Sequence, residues 1–194
     1  MNGMLLLLFI YSVFTMNLVL QCALGIKGAA ESKMPFNISV LVKLCLIFVS
    51  VIFLWFFFSR VLYSLFSGLF IYVLLFPVSA IVYDGLEYLI FRFVVKKDAK
   101  SESVISFPNG ITAVAVFVCI IIAGSFLEVV ILSFGFTSGI FLINLIIREI
   151  RRRAALEAVP VFMHGKPLVL ITMGMLSLVF TTASLLLFRM IDTL

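Results

Sequence analysis

Three cysteines, one histidine and a few acids are the residues of this sequence that could hold a metal, carry an electron or move a proton. Cys22, Cys45 and Cys119 lie in apolar runs, and neither a Cys-x-x-Cys nor a Cys/His spacing joins them. An odd, scattered set argues against a disulfide framework. A cysteine in such surroundings is expected to behave as a small buried hydrophobe. His164 sits in the loop segment Pro160-Val161-Phe162-Met163-His164-Gly165-Lys166-Pro167 with no partner at metal-ligand spacing, which argues against zinc. Asp84, Glu87 and Glu128 fall near the ends of apolar runs, where water is expected to reach them. Deep in a bilayer an acid would be functional by default. Asn17, Gln21, Thr112, Asn144, Thr172, Thr181 and Thr182 are the polar side chains expected within helices. There they would hydrogen-bond between neighbouring helices, for about 1 kcal/mol each. No nucleophile elbow, phosphate-cradling glycine loop or pair of acids on one intramembrane helix face occurs, so an intramembrane enzyme has no support.

The elements that must position these residues are membrane spans. The 194 residues are 64% hydrophobic and 12% charged, include 22 phenylalanines and carry a formal net charge of +5. Mean hydropathy is +1.33. Soluble domains are about half apolar and about a quarter charged, and a chain of this size leaves roughly a third of its unfolded surface in water. That excludes a soluble enzyme, a nucleic-acid module, a secreted disulfide scaffold and a disordered tail. A span needs about 20 apolar residues, and six stretches qualify: about 3–24, 39–59, 63–83, 104–123, 128–147 and 168–189. Arg60 marks a tight turn between the second and third. Glu128, beside Gly124-Ser125, marks a hairpin between the fourth and fifth.

In a six-span chain, the polar stretches 25–37, 84–103 and 148–167 share one face. With Lys43 that face holds Lys27, Lys33, Arg92, Lys96, Lys97, Lys100, Arg148, Arg151, Arg152, Arg153 and Lys166, which leaves only Arg60 and Arg189 opposite. Cationic loops stay in the cytoplasm, so both termini are expected outside. The opening MNGMLLLLFIYSVF resembles a signal-peptide core but lacks a positive n-region and is too long. Gln21 before Cys22 fits lipoprotein processing poorly. Arg151-Arg152-Arg153 beside a span reads as an orientation anchor or anionic-lipid contact instead of a nucleic-acid site.

The expectation is thus a single all-α integral membrane domain, 1–194, with six transmembrane helices in halves 1–97 and 98–194. Three spans per half make the halves inverted repeats, the plan of many carriers. Phe14-Thr15-Met16-Asn17 faintly echoes Phe107-Pro108-Asn109-Gly110, and each segment opens or interrupts the first helix of its half.

The C-terminal third carries a family pattern: Ile147-Arg148-Glu149, a basic stretch, Ala158-Val159-Pro160, Gly165, then Leu170-Ile171-Thr172-Met173-Gly174-Met175-Leu176-Ser177. Together with Asn17-Leu18-Val19-Leu20 and Leu24-Gly25-Ile26, it resembles the family formed by the A component of the Rnf electron transport complex and the E component of the sodium-translocating NADH:quinone reductase. Convincing coverage is 144–184 and 14–26, about a third of the chain. Glu87 falls where the family has an acid at the end of the third span. The family also has two cysteines that, with those of a related protein of the same complex, ligate an iron–sulfur centre in the membrane. Here those positions read Lys27 and Val114, and an ammonium and a hydrocarbon cannot replace thiolates. Cys22 and Cys119, five residues away, are the alternative ligands of a shifted interface cluster.

The resemblance implies a membrane subunit of an ion-translocating electron transport complex in a bacterial cytoplasmic (inner) membrane. Its partners would be the bilayer, an inverted sister subunit and other Rnf/Nqr-type subunits, not nucleic acid. Loss of the cysteines implies a structural or ion-path role, with no cofactor or metal in this chain alone. The competing expectation is a stand-alone small-solute carrier or the membrane subunit of a vitamin importer, whose site would form near Asn17 and Pro108-Asn109-Gly110.

Overall fold

Long apolar runs without enough polar residues to hydrogen-bond a bare backbone must form helices in a bilayer, because only then is every N–H and C=O satisfied locally. The computed structural model describes residues 2–21, 38–62, 70–90, 92, 108–154 and 166–192. Helix α1 (Asn2–Ile10) runs into a π-helical turn, Tyr11–Thr15, and the short α2 (Leu18–Gln21) follows after a break at Met16 and Asn17. Helix α3 (Ile38–Phe57) also ends in a π-helical turn, Phe58–Leu62. Then come α4 (Phe70–Ile90), α5 (Pro108–Ile122), α6 (Phe126–Ala154) and α7 (Lys166–Asp192). Four segments are long and apolar enough to cross a bilayer: Leu41–Arg60, Val73–Ile90, Phe126–Ala154 and Pro167–Leu186. Met4–Leu20 and Gly110–Ile122 are apolar but shorter. All regular structure among the described residues is helical, and the chain is built as a multi-pass membrane protein.

Helix α6 is the central element. Half of its span is buried, against a third or less for the other three long spans. It packs against α1, the first π turn, α2, α3, α5 and α7. Phe48 meets Phe134 and Trp55 meets Phe126, both pairs with ring centroids 6.5 Å apart, so α3 runs antiparallel to α6. The α5–α6 hairpin turns at Gly124-Ser125 as the sequence predicts. Ser125-Phe126-Leu127-Glu128 has the form of a capping box, in which an acid three residues into the helix reaches back to its entry. The Gly124 N–H donates to Glu128 Oε2 at 2.8 Å.

Several expected boundaries are corrected. The first span is not one helix over 3–24, because it breaks at Met16–Asn17. The third runs over Phe70–Ile90 and not 63–83, of which 63–69 lie outside the described residues. Hydropathy falls at Asp84, but the inward stripe Leu75, Ser79, Tyr83, Glu87 continues past it, and packing carries the helix on. The fifth extends from 128–147 to Phe126–Ala154. At 1.5 Å per residue α6 is about 43 Å long, against a hydrocarbon core of about 30 Å, so its basic end continues beyond the span. There Arg153 Nε pairs with Glu149 Oε1 at 3.1 Å, one turn apart and exposed. Of the expected 104–123, the helix is described over Pro108–Ile122 and 104–107 lie outside the described residues, while 168–189 becomes Lys166–Asp192.

Candidate functional site

Two features inside the helical bundle place polar groups where hydrocarbon would be the default. The first is the break in the opening helix. The Met16 N–H reaches back to the Tyr11 carbonyl oxygen at 2.9 Å, closing the π turn. Asn17, only 1% exposed, then joins the two pieces. Its Nδ2 donates to the Val13 carbonyl at 3.0 Å, and its Oδ1 accepts the Val19 N–H at 3.2 Å. One amide thus serves the carbonyl end of one helix and the amide end of the next, which is how a buried helix end avoids orphaned groups.

The break lies against Gly135 and Gly139 of α6, a small-xxx-small pair that lets backbones approach closely. A β-carbon at Gly135 would collide with the Ser12 side chain and stand 3.3 Å from the Phe9 carbonyl oxygen. Ser12 itself is buried and donates to that carbonyl at 2.8 Å. Phe9 stacks on Phe134 at 5.8 Å, and Phe14 meets Phe180 at 5.3 Å, so aromatic contacts hold both sides of the break.

The second feature is the inner face of α4. Leu75, Ser79, Tyr83 and Glu87 recur every fourth residue and are all buried, which is the helical repeat of a single face. Tyr83 is fully buried and Glu87 is 9% exposed. Tyr83 Oη and Glu87 Oε2 have no hydrogen-bond partner among the described residues. Lys43, half-buried on α3, and Asp84, exposed on α4, are the neighbouring charges that act on the Glu87 carboxylate. An apolar surround makes such a group expensive unless it is paired or reached by a proton, ion or water. One turn further, Arg92 Nη1 donates to Tyr88 Oη at 2.7 Å, with the guanidinium 5.7 Å from that ring.

The sequence placed all three acids where water reaches them. Glu87 is instead buried, Asp84 is exposed, and Glu128 caps α6. Tyr83 and Lys43 were missed as site residues, although the four-residue spacing of 75, 79, 83 and 87 is readable. The Gly135-x-x-x-Gly139 motif was equally visible. Polar groups expected to bond between helices serve their own backbone: Thr172, Thr181 and Thr182 donate to Val169, Ser177 and Val179 carbonyls at 2.9, 2.8 and 2.9 Å. Such local bonds compete with cross-helix ones for the same hydroxyl. Thr112 is buried and Asn144 half-buried.

Of the positions matched to cluster ligands, Lys27 lies outside the described residues, as does the alternative ligand Cys22. Val114 is half-buried against the core. Cys119 is buried beside Ser133 of α6, five residues further along α5 than Val114. Cys45 is exposed on α3, against the expectation that it is buried. A hydrocarbon at position 114 is no donor, so the matched residue does not fit an iron–sulfur cluster.

Helices long enough to span a bilayer, together with an interrupted first helix, define the class as a polytopic helical membrane protein. Compared with known protein families and with curated protein sequences, the chain matches none.

Proposed function

We propose that this chain is a membrane subunit of an Rnf/Nqr-type ion-translocating electron transport complex, acting as a structural or ion-path component and not as an electron relay. The observation that carries the reading is the break at Met16–Asn17, which falls within the segment 14–26 that resembles the family. Broken helices form ion and substrate sites in inverted-repeat carriers. The other short apolar helix, α5, opens at Pro108, where the second half would begin its own repeat. Six spans in two inverted halves, both termini outside a bacterial cytoplasmic membrane, are the topology that goes with this reading.

In the ion-path role, Glu87 is the exchanging carboxylate and Lys43 the fixed cation that limits its affinity for a passing ion. Tyr83 Oη is a second oxygen one turn away. An inverted sister subunit would cover the outward faces of the bundle. The cluster positions contribute no electron step.

The test is purification of the tagged chain from its native membrane in mild detergent, with iron analysis. Expected is a heteromer containing a second polytopic subunit and flavin- and iron-bearing subunits, with no iron on the isolated chain. A monodisperse, solitary chain that transports a solute in liposomes would replace the reading with a carrier.

A further inference from the structure

The end of the bundle opposite the basic end of α6 carries a guanidinium at the head of an apolar groove. Arg60 sits in the π turn that ends α3 and is exposed. Among the described residues no acid pairs with it. It borders a cavity of about 610 Å³ between the end of α3 and the α5–α6 turn, which Trp55, Phe56, Ser59, Ile120 and Gly124 also line. A second, shallower hollow of about 360 Å³ lies along the outer face of α3 and is lined by Val49, Ile52, Phe53, Phe56 and Phe126, four of them exposed. Phe56 and Phe126 border both, so the two adjoin as one surface groove, with Arg60 and Ser59 at one end and only hydrocarbon at the other.

We infer that this surface groove holds one phospholipid of the adjoining leaflet, with its phosphodiester on Arg60 and an acyl chain along α3. Three observations support that occupant. Val49, Phe53, Phe56 and Arg60 lie at intervals of four, three and four residues, a single stripe of one helix. From Val49 to Arg60 the stripe rises about 16 Å, close to half of the roughly 30 Å hydrocarbon core, which is the depth of one leaflet. A guanidinium matches phosphate with paired N–H donors, and an exposed arginine among aromatic rings has no other described partner. Trp55, its ring 6.5 Å from that of Phe126, lies one turn below Arg60, the level at which tryptophan sits in the membrane interface. Glu128 accepts the Gly124 N–H and does not line the cavity.

The experiment uses the full chain in bilayer discs containing equal phosphatidylglycerol and an uncharged galactosyl diacylglycerol with the same acyl chains. Native mass spectrometry counts the lipid retained as detergent strips the rest. Expected is one retained phosphatidylglycerol in preference to the galactolipid. Retention should weaken roughly tenfold in Arg60→Gln, the scale of one lost charge-assisted pair of bonds. It should weaken less in Arg60→Lys and stay unchanged in Arg189→Gln. Phe53→Ala should weaken retention of both lipids, because it shortens the groove. Equal retention of the two lipids overturns the inference, as does full retention of phosphatidylglycerol by Arg60→Gln or a second protein chain in the lipid's place. Each variant's helix content and elution volume are measured alongside, and Arg60→Lys keeps the comparison decisive if Arg60→Gln does not fold.

Discussion

Asn17 and Gly139 stand in contact: a β-carbon at position 139 would lie 3.0 Å from Asn17 Nδ2 and 3.1 Å from the Val13 carbonyl oxygen. The break in the first helix is therefore fitted to the central helix at its most polar point. A smooth α1 would leave Asn17 without the carbonyl and amide it now serves, and a larger residue on α6 would push the break away.

Glycine substitutions on α6 should report that fit. Gly135→Ala drives a methyl group into Ser12 and should destabilise by about 1–3 kcal/mol, the range for overpacking. Gly139→Ala should lose less, because the nearest atoms stand 3.0 Å off or more. Gly174→Ala meets nothing within 4 Å and should be neutral or slightly stabilising. Thermal unfolding in one detergent ranks the three, and equal midpoints for Gly135→Ala and Gly174→Ala would show the contact to be absent.

Asn17→Leu removes a donor and an acceptor from buried backbone partners and should cost about 1–3 kcal/mol. Asn17→Asp keeps the acceptor for the Val19 N–H but sets a carboxylate against the Val13 carbonyl, so it should cost at least as much as Asn17→Leu. Hydrogen exchange at the Val19 amide separates the variants: fast exchange is expected in Asn17→Leu only.

Lys43 and Glu87 should be energetically coupled. Lys43→Gln leaves a buried carboxylate without its cation and should destabilise more than the double variant Lys43→Gln/Glu87→Gln. A coupling of about 0.5–3 kcal/mol is expected from the thermodynamic cycle. Additive single effects would dissociate the two residues and remove Lys43 from the proposed ion path.

Glu128→Ala opens the capping box at the start of α6 and should lower the unfolding midpoint. Glu128→Gln retains an acceptor oxygen and should lose less. If both variants lose equally, charge at the helix entry and not the hydrogen bond is the stabilising element.

The two ends of the bundle should face different compartments. Ser59→Cys and Ser125→Cys flank the same cavity end and should react with an impermeant maleimide added to intact cells. Arg152→Cys, at the opposite end of α6, should be protected until the membrane is opened. The reverse pattern would invert the proposed orientation.

Several features were legible because they are local. Apolar runs announce helices, and Gly124-Ser125 with Glu128 announces a turn and its cap. Charge segregation is a sum over neighbours in sequence, so it too can be read without a fold. The length of α4 was not legible in the same way. A hydropathy window registers Asp84 as an end, whereas the helix obeys the inward face that Tyr83 and Glu87 share with Leu75 and Ser79.

Membrane residence, helical structure and the turn at Gly124-Ser125 follow from the residues alone, because transfer of a side chain from water depends on that residue's own chemistry. Three relationships needed the packed bundle: Glu87 buried on the inner face of α4, Asn17 bridging a broken helix against Gly139, and Arg60 heading a groove that begins at Val49. These depend on the rotation and register of one helix against another. That choice is made by close packing between surfaces far apart in the chain, and a local sum does not contain it.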